Sequence, residues 1–127
     1  MFNFFEPNYQ PPGMLRDLQL FAPEFQITTE AAVITSANTF RALINGWYGW
    51  PKEDQLKLNL ASEIALAGTP DQLLDRLNRL LFNGGMSPEL RQITIDMLTA
   101  LRSRSAESRV KSAIQLLTRS PEFVIQK

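Results

Sequence analysis

The chain has 127 residues, of which 44% are hydrophobic, and its 13 basic and 13 acidic residues give a formal net charge of zero. This length is typical of one domain, and the apolar share is too high for intrinsic disorder. No apolar run approaches the ~20 residues that a membrane-spanning helix needs, and no signal peptide is visible at the N-terminus. The sequence therefore predicts a globular protein without a membrane span.

Histidine and cysteine are both absent. The commonest general base and metal ligand is therefore missing, together with thiol nucleophiles, thiolate metal sites and disulfides. A catalyst would have to rely on carboxylates, lysine, tyrosine or serine alone. We accordingly predict no cofactor and no metal site, and the sequence offers no catalytic residue.

The first 27 residues are rich in proline and aromatic side chains and show neither a helical nor a strand period. The run Pro11-Pro12-Gly13 has turn chemistry, and residues 13–18 predict one or two helical turns within an otherwise irregular arm. Because large aromatic side chains are stable where they are buried, we expect this arm to pack on the helices that follow or on another molecule. Its candidate interaction residues are Phe2, Phe4, Phe5, Tyr9 and Phe21.

Residues 28–127 are predicted to form a helical domain, whose first helix begins at Thr28 or Thr29, either of which can cap free N–H groups. An apolar stripe at helical spacing follows, and a glycine at position 46 ends the helix. The stripe consists of Val33, Ala37, Phe40 and Ile44. Residues 46–51 read Gly-Trp-Tyr-Gly-Trp-Pro and predict an aromatic loop. Residues 52–60 contain alternating leucines without a partner strand, so we predict an extended lead-in to a short helix over residues 59–66.

Start signals and apolar faces predict three further helices. Thr69-Pro70-Asp71-Gln72 is a capping box, Ser87-Pro88-Glu89 begins the next helix, and Ser105 caps the last one. The expected buried faces are Leu73, Leu77, Leu80 and Leu81 in the first helix, Leu90, Ile93, Met97 and Leu101 in the second, and Val110, Ile114 and Leu117 in the third.

Two ion pairs and a returning C-terminus complete the expected bundle. The i,i+4 pairs are Asp75 with Arg79 and Glu107 with Lys111. Residues 123–125, Phe-Val-Ile, are expected to fold back onto the helices. The helix starts recur at no fixed period, which argues against a solenoid, and short connections favour antiparallel neighbours. We predict an all-α fold, a small bundle of about five helices with an irregular, proline- and aromatic-rich N-terminal arm.

Four segments, spread over nearly the whole chain, carry a resemblance. They are Phe2-Asn3-Phe4-Phe5 with Pro11-Pro12-Gly13, then Ala22-Pro23-Glu24-Phe25-Gln26, the run from Leu77 to Gly85, and Arg109-Val110 leading to Ser120-Pro121-Glu122-Phe123. In this order they resemble a bacterial family, the domain-of-unknown-function 1800 family. The resemblance implies the C-terminal part of a longer protein, whose N-terminal portion would precede Met1, and an extracytoplasmic role. It implies no catalytic residues, because the family has no assigned activity.

The aromatic loop is a candidate ligand site. Flat aromatic faces stack on sugars and nucleobases, so Trp47, Tyr48 and Trp50 could form a stacking platform. The alternative interpretation, which we favour, is that these side chains fill a joint between helices or cover a hydrophobic seam. Adjacent aromatic side chains on a tight loop rarely all point outward.

The charged residues predict neither a nucleic-acid site nor a catalytic pair. Residues 64–127 carry a net charge of +3, with basic residues at Arg102, Arg104, Arg109, Lys111 and Arg119. The turn before residue 88 is too long for a helix-turn-helix, and the following helix holds only Arg91 and Arg102 as bases, so we interpret a solvated face. The pairs Glu53-Asp54 and Asp71 with Asp75 fit a helix start and an ion pair better than glycosidase chemistry.

Two interpretations of the N-terminal arm stay open. Phe4, Phe5 and Phe21 could complete the bundle's own core, or the arm could pack on a second copy or on the missing N-terminal part of the family domain. We expect self-association, as a homodimer. The predicted function is a non-enzymatic scaffold or partner-docking module of a larger protein. The alternative is a module that binds a carbohydrate or another ligand through loop 46–51, and catalysis would need groups from the missing portion.

Overall fold

The structure, a computed structural model, describes residues 6–27, 30–49 and 55–124, and these ranges contain helices, turns and coil without a strand. The all-α prediction is therefore confirmed. The α-helices are α1 (Met14–Asp17), α2 (Glu30–Asn45), α3 (Ala61–Ala65), α4 (Pro70–Phe82), α5 (Pro88–Ala100), α6 (Ala106–Leu117) and α7 (Pro121–Val124), and a 3-10 helix spans Pro23–Ile27. The chain divides into two compact units, Met1–Ser36 and Ala37–Lys127, and the division falls within α2.

Within the first unit, hydrogen bonds join segments that are far apart in sequence. The Ala22 N–H donates to the Tyr9 carbonyl at 2.9 Å. The Gln26 side chain binds both backbone groups of Glu6, accepting from its N–H at 3.1 Å and donating to its carbonyl at 3.0 Å. The helical turn predicted after Gly13 is confirmed as α1. The 3-10 helix was not predicted, although its first residue is a proline, whose fixed φ suits a first helical turn.

Five large apolar side chains in the described part of this first unit are exposed. They are Leu18, Leu20, Phe21, Val33 and Ile34, with exposed fractions between 49% and 64%. Ala22 is buried, and it is the one buried apolar residue among the described side chains of this unit. The predicted apolar stripe of the first long helix is therefore wrong at Val33. Farther along α2, in the second unit, Ile44 is buried as expected.

Leucine-rich helices build the core of the second unit. Helix α6 is central, because it packs on both α3 and α5, and it buries Val110, Ala113, Ile114 and Leu117. The buried apolar set is Ile44, Ala67, Leu73, Leu74, Leu77, Leu90, Leu98, Val110, Ala113, Ile114 and Leu117. Burial of one large aliphatic side chain contributes about 1.5–3 kcal/mol relative to its exposure. This core therefore supplies the main apolar stabilisation of the described chain.

The expected faces of α4 and α5 are partly wrong. In α4 the buried residues are Leu73, Leu74 and Leu77, whereas Leu80 is 61% exposed. In α5 the buried positions other than Leu90 are shifted by one residue from those expected. The buried set of α5 is Leu90, Thr94 and Leu98, and Ile93 is 49% exposed. Thr94 tolerates full burial because its hydroxyl donates to the Leu90 carbonyl at 2.8 Å.

Of the caps predicted for the last three long helices, two are confirmed, whereas Thr28 and Thr29, the cap candidates of the first long helix, lie outside the described residues. Ser87 accepts from the Leu90 N–H at 3.1 Å, and Ser105 accepts from the Ser108 N–H at 3.2 Å. At α4, however, Thr69 accepts no capping bond, so the predicted capping box is wrong. Its hydroxyl instead lies 3.3 Å from the Leu66 carbonyl. That carbonyl belongs to the turn after α3, which a sequence pattern local to α4 does not reveal.

Most of the described ion pairs join residues of different helices rather than residues four positions apart in one helix. The predicted pair of Glu107 with Lys111 is confirmed at 2.6 Å. The predicted pair of Asp75 with Arg79 is wrong, because Asp75 contacts Arg91 of the neighbouring helix at 2.9 Å. Burial opposes the charge of the Arg91 guanidinium, but hydrogen bonds and the charges of Asp71 and Asp75 outweigh it and raise the pKa of Arg91.

The C-terminal helix α7 returns to the bundle through one aromatic side chain. The Phe123 ring makes edge-to-face contacts with Phe40 and Phe82, with centroid distances of 5.8 and 6.2 Å. The predicted fold-back is confirmed for this residue. It is wrong for Val124, which is 68% exposed, and Ile125 lies outside the described residues.

A hydrogen bond joins α7 to the connection before α5. The Ser87 N–H donates to the Glu122 carboxylate at 2.9 Å.

Candidate functional site

The aromatic loop begins where α2 ends. The Trp47 N–H donates to the Ala42 carbonyl at 2.8 Å, and Gly46 adopts a φ of +73°, which glycine tolerates without steric cost. Two residues on, the Tyr48 carbonyl accepts from the Leu56 N–H at 2.9 Å. The start of the loop and the segment that leads into α3 therefore lie side by side.

The first two aromatic side chains of the loop are accessible. Trp47 is 63% exposed and Tyr48 is 45% exposed. The interpretation that these side chains fill a joint between helices is therefore wrong for both of them. Trp50, the third residue of the expected platform, lies outside the described residues.

Trp47 also lines an open cleft between α2 and α6. The cleft has a volume of about 380 Å³, within the range of ~300–1,000 Å³ that is usual for small-molecule sites. Apart from the tryptophan, its lining side chains are polar or charged. The lining residues are Arg41, Asn45, Trp47, Ser105, Glu107, Ser108, Lys111, Ser112 and Gln115. The cleft lies entirely within the second unit.

Only some of these polar groups are engaged within the protein. Glu107 pairs with Lys111, the Ser105 hydroxyl caps α6, and the Asn45 amide donates to the Arg41 carbonyl at 2.8 Å. Four other polar residues that line the cleft have no side-chain hydrogen-bond partner within the described ranges. They are Arg41, Ser108, Ser112 and Gln115. These groups are free to bind a ligand.

The cleft was missed at the sequence level, although part of its signal is visible there. Ser108, Ser112 and Gln115 lie at i, i+4 and i+7 and form a polar stripe on α6, opposite its buried face. Arg41 and Asn45 have the same i, i+4 spacing on α2. A polar stripe is ordinarily a solvated helix face. Only the tertiary fold brings these two stripes together across more than 60 residues of sequence.

The candidate interaction residues of the arm have different environments. Phe2, Phe4 and Phe5 lie outside the described residues. Tyr9 is half-buried, and its carbonyl accepts from the Ala22 N–H. Phe21 is 64% exposed, which contradicts a place for its ring in the core. Packing of the arm on the bundle stays a prediction.

The basic C-terminal region is largely engaged in structural contacts. Arg109 donates to the Ala67 carbonyl at 2.6 Å, Lys111 pairs with Glu107, and Arg119 lies 3.4 Å from the Ala37 carbonyl. Arg102 binds the carbonyl of Thr99. A cation that holds a protein carbonyl or carboxylate is less available to a phosphate, so these contacts fit the interpretation of a structural and solvated face.

The carboxylates of the two possible catalytic pairs have other roles or lie outside the described ranges. Asp71 and Asp75 both contact Arg91, at 3.1 and 2.9 Å. Glu53 and Asp54 are not among the described residues. Across the described ranges, no group of three or more acidic side chains could hold a metal ion. Likewise, no helix within those ranges is both long enough and apolar enough to cross a bilayer.

Comparison of the chain with models of protein families, with curated proteins and with solved structures returns no match.

Proposed function

We propose that this chain is a non-enzymatic helical module that docks a protein partner, and that this partner is a second copy of the chain. The observation that supports the proposal is an exposed apolar surface next to the aromatic loop. This apolar loop surface consists of Tyr48, Leu56 and Leu58, whose exposed fractions are 45%, 56% and 51%. The Leu56 N–H donates to the Tyr48 carbonyl, so these two residues lie side by side, and exposed apolar patches mark sites of association.

A second copy is a suitable partner on chemical grounds. In a two-fold symmetric dimer the same patch meets itself, so an apolar surface finds an apolar surface opposite it. The formal net charge of zero means that two copies do not repel each other through overall charge. Lys57, which is exposed between the two leucines, can keep its ammonium group in water at the rim of such a contact.

The proposed resemblance to the domain-of-unknown-function 1800 family is compatible with this role. It would make the chain a module of a family without an assigned activity, so it supplies no catalytic residues. The described carboxylates also favour binding over catalysis, because several of them hold cations of the protein itself. Asp71 and Asp75 hold Arg91, and Glu107 holds Lys111.

Sedimentation velocity over a range of protein concentrations tests the docking proposal. We expect a concentration-dependent dimer, and we expect the double variant Leu56→Ser with Leu58→Ser to be monomeric, because it removes the apolar area that the contact would bury. The control is Leu80→Ser, which makes the same change at a leucine of α4 with 61% exposure and should dimerise like the parent chain.

Two results would overturn the proposal. A parent chain that stays monomeric at the highest concentration removes the second copy as the partner. A dimer that survives the double variant and dissociates with Leu80→Ser places the contact on another face. Circular dichroism of each variant establishes that the helices are retained.

A second function, the binding of a small ligand, is favoured by a separate observation. The cleft of about 380 Å³ combines the accessible indole of Trp47 with polar groups that have no partner within the described ranges. Most small-molecule sites are lined mainly by apolar side chains, whereas eight of the nine residues that line this cleft are polar or charged, so a polar ligand such as a saccharide fits it best. A thermal-shift screen with saccharides tests it, and a Trp47→Ala variant should remove any stabilisation.

A further inference from the structure

We infer that the cleft between α2 and α6 binds a saccharide that carries one carboxylate, such as a hexuronate residue of an acidic glycan. This inference rests on the second proposed function, ligand binding at the cleft, and specifies its ligand class. It follows from three features of the lining: one aromatic face, one uncompensated cation, and neutral groups that bind hydroxyls.

The aromatic face is the indole of Trp47. At 63% exposure, much of its surface is accessible while it lines the cleft. A pyranose ring has an apolar face made of C–H groups, and an aromatic ring can cover such a face without a change in the protein. Glycine residues before and after the Trp47-Tyr48 pair allow the chain to turn sharply, with φ of +73° at Gly46 and +118° at Gly49.

The uncompensated cation is Arg41. Three charged side chains line the cleft, and two of them, Glu107 and Lys111, form an ion pair at 2.6 Å. The Arg41 guanidinium has no partner within the described ranges, so the lining carries one net positive charge. A guanidinium binds a carboxylate through two parallel hydrogen bonds. The cleft therefore favours a ligand with one negative charge over a neutral one.

The neutral groups provide donors and acceptors for sugar hydroxyls. Ser112 and Gln115 lie on the α6 side of the cleft and have no side-chain partner within the described ranges, and Ser108 lies beside them. An amide and hydroxyls can each donate and accept, as a ring of alternating hydroxyl groups requires. The alkyl chain of a fatty acid forms no hydrogen bonds, so it would leave these groups unpaired.

A doubly charged phosphate suits the cleft less well than a carboxylate. Glu107 is the acidic residue in the first turn of α6, where its charge offsets the positive end of the helix that would otherwise attract an anion. With one net positive charge in the lining, a phosphate dianion would bring one negative charge too many. The carboxylate of a uronic acid matches the lining charge.

Titration of the ¹⁵N-labelled full chain tests the inference, with methyl β-D-glucuronide, methyl β-D-glucoside and glucose 6-phosphate as probes. We expect the glucuronide to shift the Trp47 indole signal and the backbone signals of the cleft at millimolar concentration. It should bind about tenfold more tightly than the glucoside, the scale of one charge-assisted hydrogen-bond pair in partly exposed surroundings. Trp47→Ala should abolish the binding of both glycosides.

The variant Arg41→Gln isolates the contribution of the charge. It should lower the affinity for the glucuronide about tenfold, to that for the glucoside, and leave the glucoside unaffected. The matched control is Arg79→Gln, which removes an exposed arginine of α4 outside the cleft and should leave all three affinities unchanged.

Each of the other outcomes contradicts a separate statement. If none of the three probes binds, the ligand-binding function of the cleft fails together with this inference. If both glycosides bind equally, or Arg41→Gln leaves the preference intact, the function holds and the inference of an acidic ligand is wrong. If glucose 6-phosphate binds more tightly than the glucuronide, the ligand class is a phosphate instead. The docking proposal is unaffected by these outcomes, because its test uses Leu56 and Leu58.

Discussion

The two units of this chain are stabilised by different kinds of interaction. In the second unit, helices α4, α5 and α6 bury leucines and small apolar residues in a continuous core, which also contains Ile44 of α2 and Ala67. In the described part of the first unit, backbone and amide hydrogen bonds such as those of Gln26 with Glu6 connect the segments, while Leu18 and Phe21 are about 60% exposed.

The contrast shows which interactions withstand perturbation. Burial of apolar surface is the dominant favourable contribution to folding, whereas an exposed hydrogen bond largely replaces one that water would make. We therefore expect the second unit to be sensitive to single changes in its core, and the first unit to respond weakly and locally. The following predictions test this difference, beginning with the largest effect.

Removing core volume should have the largest effect. Leu117 is fully buried in α6, so Leu117→Ala should lower the free energy of unfolding by about 2–5 kcal/mol through lost burial and a cavity. Leu80→Ala, at an exposed position of α4, should change it by less than about 0.5 kcal/mol. Urea denaturation measures both. Equal effects of the two variants would contradict the core described for the second unit.

Breaking the buried ion pair should have the next largest effect. The Glu63 carboxylate is buried and contacts Arg76 at 2.5 Å, and the arginine is 39% exposed. Arg76→Leu should cost about 1–3 kcal/mol, since it leaves a buried carboxylate without its partner. Adding Glu63→Gln should recover part of the loss. A double-mutant cycle measured by chemical denaturation gives the coupling, and additive losses would mean that the pair contributes nothing.

Helix caps should give a smaller effect, and they separate two similar sequence motifs. Ser105 accepts a bond from the Ser108 N–H, so Ser105→Ala should cost about 1 kcal/mol. Thr69 makes no such bond, so Thr69→Ala should cost only a few tenths of a kcal/mol beyond any propensity change. Thermal unfolding followed by circular dichroism compares them. A larger loss at Thr69 would show that the predicted capping box does form.

The smallest effect is expected in the first unit. Gln26→Ala removes two exposed hydrogen bonds to Glu6 and should cost about 0.5 kcal/mol, felt locally. Hydrogen exchange should quicken at the Glu6 amide and stay unchanged for the helices of the second unit. Gln10→Ala, at a glutamine without a described side-chain bond, is the control. Faster exchange throughout α6 would show that the two units unfold together.

Much of the fold could be predicted from local patterns. Proline at the first helical position, serine caps and apolar spacing located α4, α5 and α6 to within a few residues, because these signals act within one or two turns. The buried face of α6 was predicted nearly completely. The α4 face was predicted only in part, because leucines occur on more than one side of that helix. Leu80 is exposed where Leu74 is buried, and the neighbouring helices decide between them.

The candidate site could be predicted only in part. Trp47 and Tyr48 were recognised as a possible platform, since aromatic residues between glycines are unusual in a loop. Their exposure and the cleft beside Trp47 could not be predicted. Arg41 on α2 and Gln115 on α6 line one cleft, although no local pattern connects residues so far apart in sequence. The same reason explains why Asp75 pairs with Arg91 rather than with Arg79.

The amino-acid sequence by itself determined the all-α fold class, the positions where most helices begin, and the absence of histidine and cysteine chemistry. These features depend on composition and on local backbone preferences, which are properties of short segments. The tertiary structure alone decided which leucines are buried, which charges meet, and which polar groups line the cleft beside Trp47. Those outcomes depend on contacts between distant segments, whose free energies are gained only when the helices pack together.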